Sequence, residues 1–66
     1  MNVVVNGREV ALPEASTVAV LLDELGIAGP YALVERNGRP VERELYDELE
    51  LDEGDDLIVA RPVAGG

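Results

Sequence analysis

A chain of 66 residues allows one small domain, and the absence of cysteine and histidine excludes disulfides, thiol catalysis and the usual zinc sites. Fourteen carboxylates against five arginines, with no lysine, give a net charge of −9. Phosphate backbones repel such a surface, which excludes nucleic-acid binding through a basic patch.

The first residues, Val3-Val4-Val5, are β-branched and end at Asn6-Gly7, after which Val10-Ala11-Leu12 resumes an apolar stretch. Asn-Gly between two short β-prone runs predicts a hairpin, because both residues accept positive φ. Pro13-Glu14-Ala15 then breaks the pattern, and Ser16 or Thr17 offers a side-chain oxygen as a helix cap. Val18, Leu21, Leu22 and Leu25 follow at i, i+3, i+4 and i+7, the spacing of one helical face. Gly26 stands where a left-handed residue closes the helix.

Gly29-Pro30 makes the next connection, and Tyr31 to Arg36 reads as a strand in which Ala32 and Val34 alternate against Leu33 and Glu35. A second Asn-Gly pair, Asn37-Gly38, turns the chain into the short extended piece Arg39-Pro40-Val41. Segments Val4–Val10 and Glu35–Val41 share the pattern x-x-Asn-Gly-Arg-x-Val. Shared turn chemistry explains this echo without an internal repeat. Glu42–Glu50 reads as irregular or briefly helical, with Leu45 and Leu49 covering one edge of the core. Asp52-Glu53-Gly54-Asp55-Asp56 reads as a solvated turn, its spacing unlike a calcium loop. Leu57-Ile58-Val59-Ala60 is apolar enough to be a strand buried on both sides.

The order is hairpin, helix, strand, short strand, strand. That is an α+β layout, one helix on one face of a small mixed sheet, with the first and last strands as central neighbours. Pro62 cannot donate to a ladder, so the sheet fades there. The chain divides into a body over residues 1–62 and a flexible tail over 63–66. With only Tyr31 and Tyr46 as aromatics, the core is aliphatic and both tyrosines pack in it or at its edge. No apolar run approaches a membrane span and no basic flank precedes one, so the chain reads as soluble and cytoplasmic.

Gly65-Gly66 is weak as a motif in isolation. Its chemistry becomes specific when a C-terminal carboxylate must thread into an enzyme beside a nucleotide, since side chains there would block the passage. Val63 and Ala64 supply a modest apolar grip, and Arg61 stands close enough to orient the tail on a partner. The sequence has no His, Cys or Lys to act as base or nucleophile, and no metal-ligand set is expected.

Taken together, Val5-Asn6-Gly7, Thr17-Val18, Leu21-Leu22, Leu25, Val34, Asn37-Gly38, Val41, Gly54-Asp55 and Val63-Ala64-Gly65-Gly66 resemble the ThiS sulfur carriers, within the ubiquitin-like β-grasp superfamily. The resemblance implies a carrier, not an enzyme. It implies that the Gly66 carboxylate is adenylated by a ThiF- or MoeB-like activating enzyme using ATP and magnesium. It implies conversion to a thiocarboxylate with sulfur from a donor such as a cysteine desulfurase, and delivery to a ThiG-like thiazole synthase for thiamine. Val63, Ala64, Gly65, Gly66 and Arg61 would then meet the partner. The ending Arg61-Pro62-Val63-Ala64-Gly65-Gly66 also resembles MoaD, the small subunit of molybdopterin synthase. A carrier for tRNA thiolation and a ubiquitin-like protein modifier share the same first chemical step. The acids Glu42, Glu44, Asp47, Glu48 and Glu50 read first as a solvated face, and secondarily as a surface that steers a basic partner.

Overall fold

Both Asn-Gly pairs fold the chain back as expected. In the computed structural model, which describes residues 1–27 and 31–61, Asn6 and Asn37 each take a φ of 51° and the glycine after each takes 84°. Two successive positive φ values make a type I′ turn, whose twist matches that of the strands it joins. The first turn links β1 (Asn2–Val5) to antiparallel β2 (Arg8–Ala11). The second links β3 (Leu33–Arg36) to the two-residue β4 (Arg39–Pro40).

Between the hairpins runs α1 (Val18–Leu25). Thr17 is its cap and accepts a hydrogen bond from the Val20 N–H at 3.3 Å. Ser16 is buried instead, its hydroxyl donating to the Pro13 carbonyl at 2.6 Å. At the other end Gly26 is left-handed, with φ 70°. Its N–H donates to Asp23 O at 3.0 Å, and Ile27 N–H donates to Leu22 O at 2.9 Å, the paired bonds of a Schellman motif. Val18, Leu21 and Leu22 are buried as the helical spacing predicts, but Leu25 is 37% exposed. The helix stops at Leu25, and beyond the left-handed glycine it is Ile27 that packs against the core.

The last strand, β5 (Asp56–Ala60), is central. The sheet order is β2-β1-β5-β3-β4, with β5 parallel to β1 and antiparallel to β3. First and last strands are therefore neighbours, as expected. One helix covers one face only, and the burial of β5 alternates accordingly. Leu57 and Val59 point into the core while Ile58 is 46% exposed, so burial on both sides is not observed. Leu21 and Leu57 are completely enclosed, and truncating either to alanine would cost about 2–5 kcal/mol.

Two further expectations give way to the geometry. After β4 the chain makes a 3-10 turn over Arg43–Leu45, and its tighter winding leaves Leu45 exposed and Leu49 half-buried. Tyr46 and Leu51 fill the core edge instead, and the Tyr46 hydroxyl donates to the Ala32 carbonyl at 2.8 Å. Tyr31 lies outside β3 and is 70% exposed, not packed. Among the described residues, the β3–β5 ladder has its last pair at Leu33 and Ala60, two positions short of Tyr31. Among the described residues, no helix is long and apolar enough to cross a membrane.

Candidate functional site at the end of the central strand

Because β5 runs parallel to β1, the chain leaves the sheet at the same end as the Asn6-Gly7 turn. Arg61 follows directly, exposed and outside the ladder. Val63, Ala64, Gly65 and Gly66 of the expected tail, with Pro62 before them, lie outside the described residues.

What surrounds the exit was not legible as a site. Strand β1 ends at Val5 opposite Leu57, which leaves the backbone of Val59 without a strand on that side. The side chain of Asn6 takes the vacant place. Its Nδ2 donates to Val59 O at 3.0 Å and its Oδ1 accepts from Val59 N–H at 2.9 Å. Its backbone N–H donates to Leu57 O at 2.9 Å. An asparagine carboxamide carries the same donor and acceptor as a peptide group, so it completes the ladder without adding a residue to it.

Beside the exit, the sheet face away from the helix is apolar. Leu33 is 56% exposed and pairs in register with Ala60, while Ile58 pairs with Glu35. With Pro40 and Arg43 these residues line an open groove of about 410 Å³. Two large aliphatic side chains, Leu33 and Ile58, thus stand partly in water on adjacent strands beside the exit. The only sequence signal for this face is the alternation of β3 and β5 itself, and reading β5 as buried on both sides concealed it.

The opposite end of β5 is built differently. Asp55, expected in a solvated turn, is only 6% exposed. Its Oδ2 accepts from Arg36 Nε at 2.8 Å and from the Asp52 N–H at 2.8 Å, and its Oδ1 accepts from Asn37 Nδ2 at 3.0 Å. Arg36 also reaches Asp52 at 2.9 Å. Burial alone would raise the pKa of Asp55. The Asp52 N–H, the Asn37 amide and the Arg36 guanidinium together outweigh it and hold the carboxyl below its usual range. The remaining acids of that turn, Asp52, Glu53 and Asp56, are exposed, as are Glu42, Glu44, Asp47, Glu48 and Glu50.

A single helix on a five-stranded mixed sheet with parallel central strands is the β-grasp arrangement of ubiquitin-like proteins. The ThiS family model matches residues 2–66, and the chain belongs to the ThiS family of small sulfur carriers in thiamine biosynthesis. It is similar to the crystal structure of the thiamine biosynthesis protein (ThiS) from Geobacter metallireducens, with 35% identity, a TM-score of 0.78 and full coverage of both chains. The solution structure of a thiamine biosynthesis protein from the same organism matches with the same identity and TM-score, covering all of this chain and 88% of that one. A thiazole synthase from Paramagnetospirillum magneticum is 35% identical over all 66 residues. The chain spans 20% of the length of that relative.

Proposed function

We propose that this chain carries sulfur as a thiocarboxylate on Gly66 for assembly of the thiamine thiazole. The observation that carries the reading is that the family match extends through residue 66, so the tail belongs to the shared pattern and not only the body. The chemistry follows from the properties of a carboxylate. It is a poor electrophile, and an activating enzyme of the ThiF or MoeB type would join one of its oxygens to the α-phosphate of ATP, with magnesium, releasing pyrophosphate. The terminal sulfur of a donor persulfide, such as a cysteine desulfurase forms, would then attack the carbonyl carbon. AMP would leave with that oxygen, and sulfur would stand in its place. A thiol reductant would cleave the acyl disulfide so formed to leave the thiocarboxylate and a disulfide.

The carrier's own part is presentation. Residues 1–62 form the body and 63–66 the tail; Gly65 and Gly66 are thin enough to thread, and Val63, Ala64 and Arg61 meet the partner near its entrance. The sequence has no histidine, cysteine or lysine to act as base or nucleophile, so the reaction is left to the activating enzyme. The recipient is a thiazole synthase, and the apolar face at Leu33, Ile58 and Ala60 is where its surface would seat. Support comes from the Paramagnetospirillum relative, which contains a segment similar to this chain within a much longer polypeptide that bears that name. Both steps belong in the cytoplasm, where ATP is available.

The test is intact mass after incubation with a ThiF-type enzyme, ATP, magnesium, a sulfur donor and a thiol reductant. The mass should rise by the difference between sulfur and oxygen, located at Gly66 by fragmentation. A variant with one alanine added after Gly66 should show no gain. An unchanged mass for the natural sequence with an enzyme that is active on its own carrier would reject the reading.

A further inference from the structure

We propose that Asn6 is a positioning residue for the tail: its side chain fixes where the central strand ends, and hence the direction in which the reacting terminus leaves the body. The proposal rests on the reading of Gly66 as the working group. Val59 is two residues before Arg61, and among the described residues its two backbone groups are the last that are held on the β1 side. On the β3 side, Leu33 pairs with Ala60. A strand held at both edges leaves the sheet along one line, whereas a strand held only by β3 could pivot about that edge. Asn6 never needs to touch the tail, since it acts through Val59.

The position also restricts what can replace it. At φ 51° the residue must tolerate the left-handed region, which asparagine, aspartate and glycine do best. Glycine keeps the turn and removes the clamp. Aspartate keeps the turn and can still accept from the Val59 N–H, but it sets a carboxylate oxygen against the Val59 carbonyl where a donor stood. Asn37 provides the control, because it has the same backbone conformation at the far end of β5. There its Oδ1 accepts from the Asp56 N–H at 2.9 Å and its N–H donates to Asp56 O at 2.7 Å.

The experiment compares Asn6→Gly, Asn6→Asp and Asn37→Gly with the natural sequence, at equal fractions folded. Two quantities are read: amide exchange at Val59, and the steady-state rate of adenylation by a ThiF-type enzyme. Asn6→Gly should speed Val59 exchange and lower kcat on the order of tenfold, because a misdirected carboxylate misses the nucleotide. KM should change less than kcat, since the substitution acts through Val59 and leaves the rest of the body as it was, and Asn6→Asp should fall on the same side as Asn6→Gly. Asn37→Gly should leave both Val59 exchange and kcat as they were. The proposal is overturned if Asn6→Gly leaves Val59 exchange unchanged, or if Asn37→Gly lowers kcat equally. Should the natural sequence itself fail to be adenylated, the functional reading falls, and Val59 exchange still decides whether Asn6 fixes the strand end.

Discussion

The two Asn-Gly turns are the same object at the level of the backbone and opposite objects at the level of chemistry. Both sit at φ 51° and 84°, and both asparagines reach sideways into β5. At the far end, Asn37 shares its partner, the buried Asp55, with Arg36, so charges tie the turn, β3 and the start of β5 together. At the exit end, Asn6 meets only the neutral backbone of Leu57 and Val59. Charge-assisted hydrogen bonds are about twice as strong as neutral ones, so the body is anchored at the end remote from the tail and held more lightly where the tail leaves.

The largest effect that can break this contrast lies at Asp55. Asp55→Ala removes a carboxylate that accepts three hydrogen bonds and leaves Arg36 half-paired. It should cost about 2–3 kcal/mol in urea unfolding, against about 1 kcal/mol for the loss of the neutral Asn6 clamp. Comparable losses at the two sites would mean that the ends are equally anchored. The same carboxyl gives the contrast a pH dependence. Its folded-state pKa lies below the ordinary 3.8, so folding favours the charged form. Its contribution is complete above that value and fades as pH falls through the lower folded pKa. Titration of the natural protein from pH 5 downward should lose stability that Asp55→Ala, already without it, does not lose.

Next in size is a change of binding, not of stability. Ile58→Lys places a charge on the open face beside the exit, where Ile58 already meets water, and opposite Glu35, whose charge it complements. Stability should move by no more than about 0.5 kcal/mol, while affinity for a thiazole synthase should fall by about 1–2 kcal/mol in calorimetry. An equal loss of affinity from a charge changed at the far end of the same strand face, as in Asp56→Lys, would mean that the partner does not prefer the exit end.

Much of this frame was legible in the sequence, and the failures share one cause. The Asn-Gly pairs, the helical spacing from Val18 to Leu22 and the left-handed Gly26 are local signals, and each produced the element expected of it. The misreadings concern what lies across the sheet. Ile58 looked buried because its neighbours are apolar, but only the number of layers in the fold decides that it faces water. Asp55 looked solvated because its neighbours are acidic, yet Arg36 and Asn37 close over it from 19 and 18 positions away in the chain. The shared x-x-Asn-Gly-Arg-x-Val pattern was explained by turn chemistry alone. Both asparagines also bind β5, and that second duty has no signature within either hairpin.

A third left-handed residue that is not glycine sharpens what the asparagines contribute. Ala15 has a φ of 63° in the link between β2 and the helix, without an amide to offer in compensation. For an ordinary L-residue that conformation costs about 1–2 kcal/mol, and Ala15→Gly relieves it. Glycine also makes the unfolded chain more disordered, which takes back about 0.4–1 kcal/mol. The net gain should be small, about 0.5 kcal/mol, read as a slightly higher urea midpoint with an unchanged slope. The same replacement at Asn6 or Asn37 relieves less strain, because asparagine tolerates the left-handed region better, and it removes bonds to β5 as well. It should therefore destabilise. Opposite signs for one substitution at three positions of nearly equal φ would separate the turn-forming duty of these residues from their hold on the central strand. A gain at Asn6 would mean that its bonds to Val59 contribute nothing to the folded state.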